Sequence, residues 1–323
     1  MPTITSVHPL RAVEGGRITL HGSGFPVDNL TTVPVGDVPA RVSFASPSKL
    51  VVLVPPEVDG RVPIKVPGAL LSTAFVDIGT PWATGLHQVD SPIFDTAGNL
   101  FVTYSGSRGQ EAAVSVFRVT PAGTREPFAS GIVNATSLAF GPDGLLYVSS
   151  RFEGAVYRVR EDGSHEQAAT DLGVACGIAF DAEGRMYVGD RSGTIFRLED
   201  GRATAFATIP ASVAAFHLAM SPSGDLFVSG PTLNAYDHVY RITRDGVVHP
   251  LPTALGRPQG LAFGPDGHLY VVDALSGNSG VYRFVDYERP PELVVSGPGL
   301  VGIAFGPAGQ MVVASNETAY RFD

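Results

Sequence analysis

A histidine, a cysteine, several aspartates and three arginines are the side chains whose setting in this chain of 323 residues suits chemistry. Arg108, Arg151 and Arg191 fall in corresponding loops of three consecutive segments, and guanidinium groups gathered in one arc would bind a carboxylate or phosphate bidentately. Glu111, Glu153 and Asp190 lie within three residues of them, so local ion pairing is the competing expectation. His217 stands where other segments carry Gly177, Gly260 and Gly302; an imidazole there is either a general base or a packed, hydrogen-bonded histidine. Cys176 has no histidine–carboxylate partner at a telling spacing, which predicts an inert thiol. Asp90, Thr136, Cys176, Asp190, Gln259, Asp273 and Asn316, with the three arginines, are the expected contacts of a small ligand.

The elements that must position them are read from one phrase written six times: FDTAGNLFV (94–102), FGPDGLLYV (140–148), FDAEGRMYV (180–188), MSPSGDLFV (220–228), FGPDGHLYV (263–271) and FGPAGQMVV (305–313). Its turn glycines recur at spacings of 40 to 46 residues, the period of propeller blades. Each blade is expected to hold four strands, the third ending in an aromatic-Arg pair such as Tyr157-Arg158 or Tyr282-Arg283. Those arginines are expected to stack on rings or pair with carboxylates. The sixth segment stops after three strands, so residues 73–89 are expected to supply the strand that completes it. Strand direction puts the Gly turns on one face. The irregular loops 104–111, 149–153, 190–192, 230–237, 273–278 and 315–317 gather on the other, where function is expected.

Residues 2–68 have a different grammar: short β-branched runs separated by Gly15-Gly16, Gly22-Ser-Gly24-Phe25, Pro55-Pro56 and Asp59-Gly60. This text resembles the IPT/TIG immunoglobulin-like family, which implies a small β-sandwich serving as a spacer or contacting a protein or surface partner. The expected fold is therefore all-β: a sandwich over 1–70, then a six-bladed propeller over 71–323 closed by an N-terminal strand.

Residues 73–323 resemble the six-bladed gluconolactonase and senescence-marker family, and more loosely NHL-repeat and streptogramin-lyase-like propellers. The lactonase resemblance implies a divalent cation, calcium or magnesium, held in the central channel by a Glu, two Asn and an Asp just before four inner strands. The matching positions here are Asp90, Thr136, Cys176 and Phe216, of which Asp90 alone is a hard-metal ligand. Two readings stay open: a module binding a small polar or anionic ligand, and a diverged lactonase-like hydrolase or lyase using His217 with Asp90 and Asp190 or Asp273. A pure interaction scaffold is a third.

Composition removes other classes. Gly 38 and Pro 26 with 16% charged residues point to a turn-rich β-protein, and 44% hydrophobic residues to real cores. The net charge of −9 falls on the repeats, which hold no lysine, so nucleic acid is an unsuitable partner. No apolar stretch of membrane-spanning length occurs. The start lacks a signal-peptide pattern, so the expectation is a cytoplasmic protein as written, periplasmic or secreted if a signal has been removed.

Overall fold

In the computed structural model, which describes residues 1–28, 30–69, 73–87, 91–199, 201–274 and 279–323, each phrase forms the end of an inner strand, a turn and a second strand. Ala135–Phe140 and Leu146–Ser150 are typical: they pair antiparallel, and Asp143 fastens the turn by accepting from the Leu145 amide at 3.1 Å and the Tyr147 hydroxyl at 3.1 Å. Asp181 does the same from another phrase position, accepting from the Arg185 amide at 2.8 Å and the Tyr187 hydroxyl at 3.0 Å. The described residues contain no α-helix, hence none long and apolar enough to cross a membrane.

Five four-stranded antiparallel sheets follow, over 93–129, 135–169, 175–208 and 217–250, and over 300–322 with Thr80–Thr84 as fourth strand. The expectation of six separate sheets needs correction. Strands Pro258–Phe263, Leu269–Asp273, Gly280–Phe284 and Glu292–Ser296 pair in the same order but do not stand alone. The two-residue strand Arg11–Ala12 runs parallel to both Glu292–Ser296 and Ala74–Ile78, which joins them to the N-terminal strands in one 12-stranded sheet.

The phrase also explains how neighbouring sheets pack. Its first residue meets the eighth residue of the preceding phrase edge to face: Phe140 on Phe101 at 5.7 Å, Phe180 on Tyr147 at 4.9 Å, Phe263 on Phe227 at 5.3 Å and Phe305 on Tyr270 at 4.8 Å. Such pairs add about 0.5–1.5 kcal/mol each beyond area burial. Where Met220 replaces phenylalanine, Tyr187 turns to Phe206 instead; where Val312 replaces the eighth aromatic, Trp82 of the closing strand stacks on Phe94 at 5.9 Å.

The six third-strand arginines pair with carboxylates, as in Arg118–Glu126 at 2.7 Å, Arg158–Asp143 at 2.7 Å and Arg283–Glu292 at 2.8 Å. Arg197 and Arg321 also lie over the rings of Phe206 and Trp82. These half-exposed pairs are scaffold contacts of small net energy.

The N-terminal strands form a sandwich around Ile18, Leu20, Val35, Leu50, Val52 and Ile64. Strand Val38–Ser46 changes sheets, pairing first with Thr32–Val35 and then with Lys49–Leu53. Ala74–Ile78 pairs with Gly60–Ile64 and buries Ala74, Val76 and Ile78 in the sandwich core, so the strand reaching the C-terminal sheet is the next one, Thr80–Thr84. The sandwich is clamped to Ser296, whose carbonyl accepts from the Val13 amide at 2.9 Å and whose hydroxyl accepts from the Arg17 amide at 2.8 Å. Gly16 permits this approach, since a Cβ there would lie 2.3 Å from the Ser296 carbonyl oxygen.

Trp82→Ala removes the closing stack and should lower stability by about 3 kcal/mol in urea unfolding. Acid should act through the turn aspartates. Burial pulls the Asp143 and Asp181 carboxyls up, but hydrogen bonds from turn amides, tyrosine hydroxyls and Arg158 or Arg185 outweigh it and hold both below the ordinary range. Ionised, they favour the folded state, and that contribution is lost as pH falls through their folded values. Thermal midpoints should therefore drop below about pH 4, and Asp181→Asn should blunt that drop.

Candidate functional site

Two cavities concern the predicted residues. The first, about 440 Å³, is central and is lined by residues of all six inner strands. At the Gly-turn end stand the first phrase residues, Phe94, Phe140, Phe180, Met220, Phe263 and Phe305; nearer the strand starts are Ser91, Ser137, His217 and Gly260. His217 is 2% exposed, in the wall of this cavity. The Ser137 hydroxyl donates to Ser91 at 3.3 Å and accepts from the Ile178 amide at 3.2 Å, so it bridges inner strands.

Among the described residues, those implied by the lactonase resemblance do not make a cation site. Asp90 lies outside the described residues. The Thr136 hydroxyl donates to the Asn134 carbonyl at 2.8 Å, the Cys176 thiol contacts the Val174 carbonyl at 3.3 Å, and Phe216 is a core side chain. A hydroxyl and a thiol turned to backbone and a phenyl ring do not fit a hard cation that needs several oxygen donors.

The second cavity, about 380 Å³, lies on the loop face and is lined by Arg108, Arg151 and Arg191 together with Asn134, Phe152, Gly173 and Val174. Arg151 and Arg191 directly follow the second strands of their sheets and Arg108 comes from the longer loop after Leu100–Thr103, so three successive loops bring three cations to one space. The expected local neutralisation does not occur at the flanking arginines: among the described residues, no carboxylate lies within ion-pair distance of Arg108 or Arg191. Two of the acids expected to pair have other partners. Glu153 accepts from the Tyr157 hydroxyl at 3.0 Å, and Asp190, 8% exposed, accepts from the Val174 amide at 2.8 Å and from the Ser192 hydroxyl.

Asp190 thus ties the loop that enters its own inner strand. Asp273 does the equivalent work, its two oxygens accepting from the Gly256 amide at 2.9 Å and the Arg257 amide at 2.7 Å. Both carboxylates are loop anchors. Ser150 fills the same role by donating to the Val133 carbonyl. Gln259 is buried, with its carbonyl accepting from Ser229, and Asn316 is exposed on the turn between Met311–Ser315 and Thr318–Phe322. Neither reaches the arginine cavity.

Two contributors to that cavity escaped the sequence reading. Asn134, 1% exposed at φ 50°, accepts from the Gly109 amide at 2.7 Å and donates to the Ser105 and Ser107 carbonyls at 2.7 and 2.9 Å, gripping the loop that presents Arg108. Asparagine tolerates the left-handed region, the signal available in the sequence. Phe152, 55% exposed, rests on Gly109, where a Cβ would lie 2.9 Å from the ring. That packing places an aromatic ring in the lining of the same cavity as the guanidinium groups. Asn134→Ala should cost about 1–3 kcal/mol and raise hydrogen-exchange rates at the 105–109 amides more than at the inner strands.

Residues 2–76 match the IPT/TIG domain family, and residues 177–198 match the N-terminal part of the strictosidine synthase-like family. No curated protein sequence matches the chain. Among solved structures, it is similar to a gluconolactonase from Xanthomonas campestris at 15% identity and a TM-score of 0.63, covering 90% of this chain and 96% of that one. It is similar over 99% of its length, and 97% of the other, to an auxiliary nutrient binding protein from Bacteroides ovatus at 15% identity and a TM-score of 0.58. Virginiamycin B lyase from Staphylococcus aureus gives 16% identity and a TM-score of 0.54, over 74% of this chain and 84% of that one. At these identities the likeness is one of fold: an all-β propeller of the gluconolactonase-like kind, carried behind a TIG domain.

Proposed function

We propose that this protein binds a small organic anion with two or more acidic groups, in the cavity between Arg108, Arg151 and Arg191. The supporting observation is that three guanidinium groups from three successive loops line one space of about 380 Å³ in a chain of net charge −9, while Glu153 and Asp190 are engaged with other partners. Planar donors arranged around a cavity favour polycarboxylates or phosphates over single-charge ligands, because each acidic group accepts a charge-assisted hydrogen bond. The exposed edge of Phe152 adds an apolar contact. In this reading the strands 258–296 act as a sixth blade, because their inner strand lines the same central cavity as the other five. The division between sandwich and propeller then falls at Gly79, between the strand that fills the sandwich core and the closing strand. An auxiliary nutrient binding protein shares the architecture over nearly its whole length, which suits a binding role.

Calorimetric titration with citrate tests the reading. Binding is expected, weakened about tenfold by Arg191→Gln and by Arg151→Gln, reduced by added salt and unchanged by chelator. Citrate binding that ignores both substitutions would refute the site. Turnover of a lactone that calcium restores after chelation would favour the hydrolase instead.

A further inference from the structure

A cleft of about 700 Å³ opens where the sandwich meets strands Gly280–Phe284 and Glu292–Ser296. Strand register builds its first wall: His8 pairs with Thr19, Thr19 with Val51, Val51 with Phe44, and His21 with Lys49. Alternation sends Ile18 and Leu20 into the sandwich core, both 0% exposed, and leaves Arg17, Thr19 and His21 on the outer face. The opposite wall presents Tyr282 and its cross-strand partner Leu293, with Pro291. The two hydrogen bonds on Ser296 close the floor between the walls and fix their separation.

The chemistry of the walls is one-sided. Arg17, Lys49, His8 and His21 all come from the sandwich, while Glu292, the one acidic residue lining the cleft among the described residues, is held by Arg283 at 2.8 Å. Phe44 is 51% exposed, with the Lys49 ammonium 5.7 Å from its ring centre. A wall with the two cations Arg17 and Lys49 beside a half-exposed aromatic ring, set against a tyrosine and a leucine, is complementary to a ligand that joins an acidic group to a ring. Binding sites favour such domain junctions, and the volume lies in the usual range for small ligands.

We propose that this cleft is a second binding site, for a ring-bearing organic anion whose acidic group is held by Arg17 and Lys49 and whose ring lies on Phe44 or Tyr282. Acidic sugars and aryl phosphates share that chemistry. Calorimetry on the full chain would use trigalacturonic acid and phenyl phosphate as probes, with galactotriose as the neutral control. At least one anion is expected to bind, about tenfold more weakly after Lys49→Gln or Arg17→Gln, and the one that binds identifies the source. Arg191→Gln should leave this binding unchanged, which separates the cleft from the loop-face cavity. Arg17→Gln keeps the backbone bond to Ser296, and the thermal midpoint of each variant checks the fold. The proposal is overturned if neither anion binds, if galactotriose binds equally well, if an acidic peptide binds in their place, or if Lys49→Gln has no effect.

Discussion

The edge-to-face contact between the first residue of one phrase and the eighth of the phrase before it is the interaction on which the propeller depends. A four-stranded sheet has two faces to cover, and alternation puts an aromatic of the second strand on one face of every such unit except the last, where Val312 stands. The next sheet brings its phenylalanine to that ring, so one short phrase encodes both the turn and the packing of neighbours. Where the pattern lapses, the substitute is visible. Phe94 lacks an aromatic at Val312 and is met by Trp82, a residue of the strand Thr80–Thr84 that crosses from the start of the chain to the last sheet.

That scaffold makes the loop face useful. The loops after three second strands bring Arg108, Arg151 and Arg191 to one place, and buried polar anchors keep the loops there: Asn134 for the first, Asp190 for the approach to the third. Of the carboxylates nearest the arginines in sequence, Glu153 accepts from the Tyr157 hydroxyl and Asp190 from the Val174 amide and the Ser192 hydroxyl. The same division between anchor and presenter holds at the junction, where Ser296 fixes the sandwich and the exposed residues of Arg17–Ser23 and Lys49–Leu53 face the cleft.

Much of this was legible in the sequence because it is written locally and repeatedly. Strands and Gly turns follow from residue types at fixed places in a phrase, and the aromatic-Arg pairs and the three loop arginines from residues in the segments that follow it. What failed to show is long-range. The strand Arg11–Ala12 has no pattern of its own, yet it joins 258–296 to the sandwich through partners some 280 residues away, as between Arg17 and Ser296. Asp190 and Asp273 read as ligands because a sequence gives a carboxylate but not the amides that occupy its oxygens. Gly16 reads as a turn glycine, although its place is set by the Ser296 carbonyl.

The central claim is that the three arginines hold a polyanion, and a crystal structure grown with citrate tests it most directly. Density for citrate on the loop face, with carboxylate oxygens at hydrogen-bond distance from at least two of Arg108, Arg151 and Arg191, is the result expected. Arginines folded onto protein carboxylates, with citrate absent from the cavity or bound elsewhere, would contradict it.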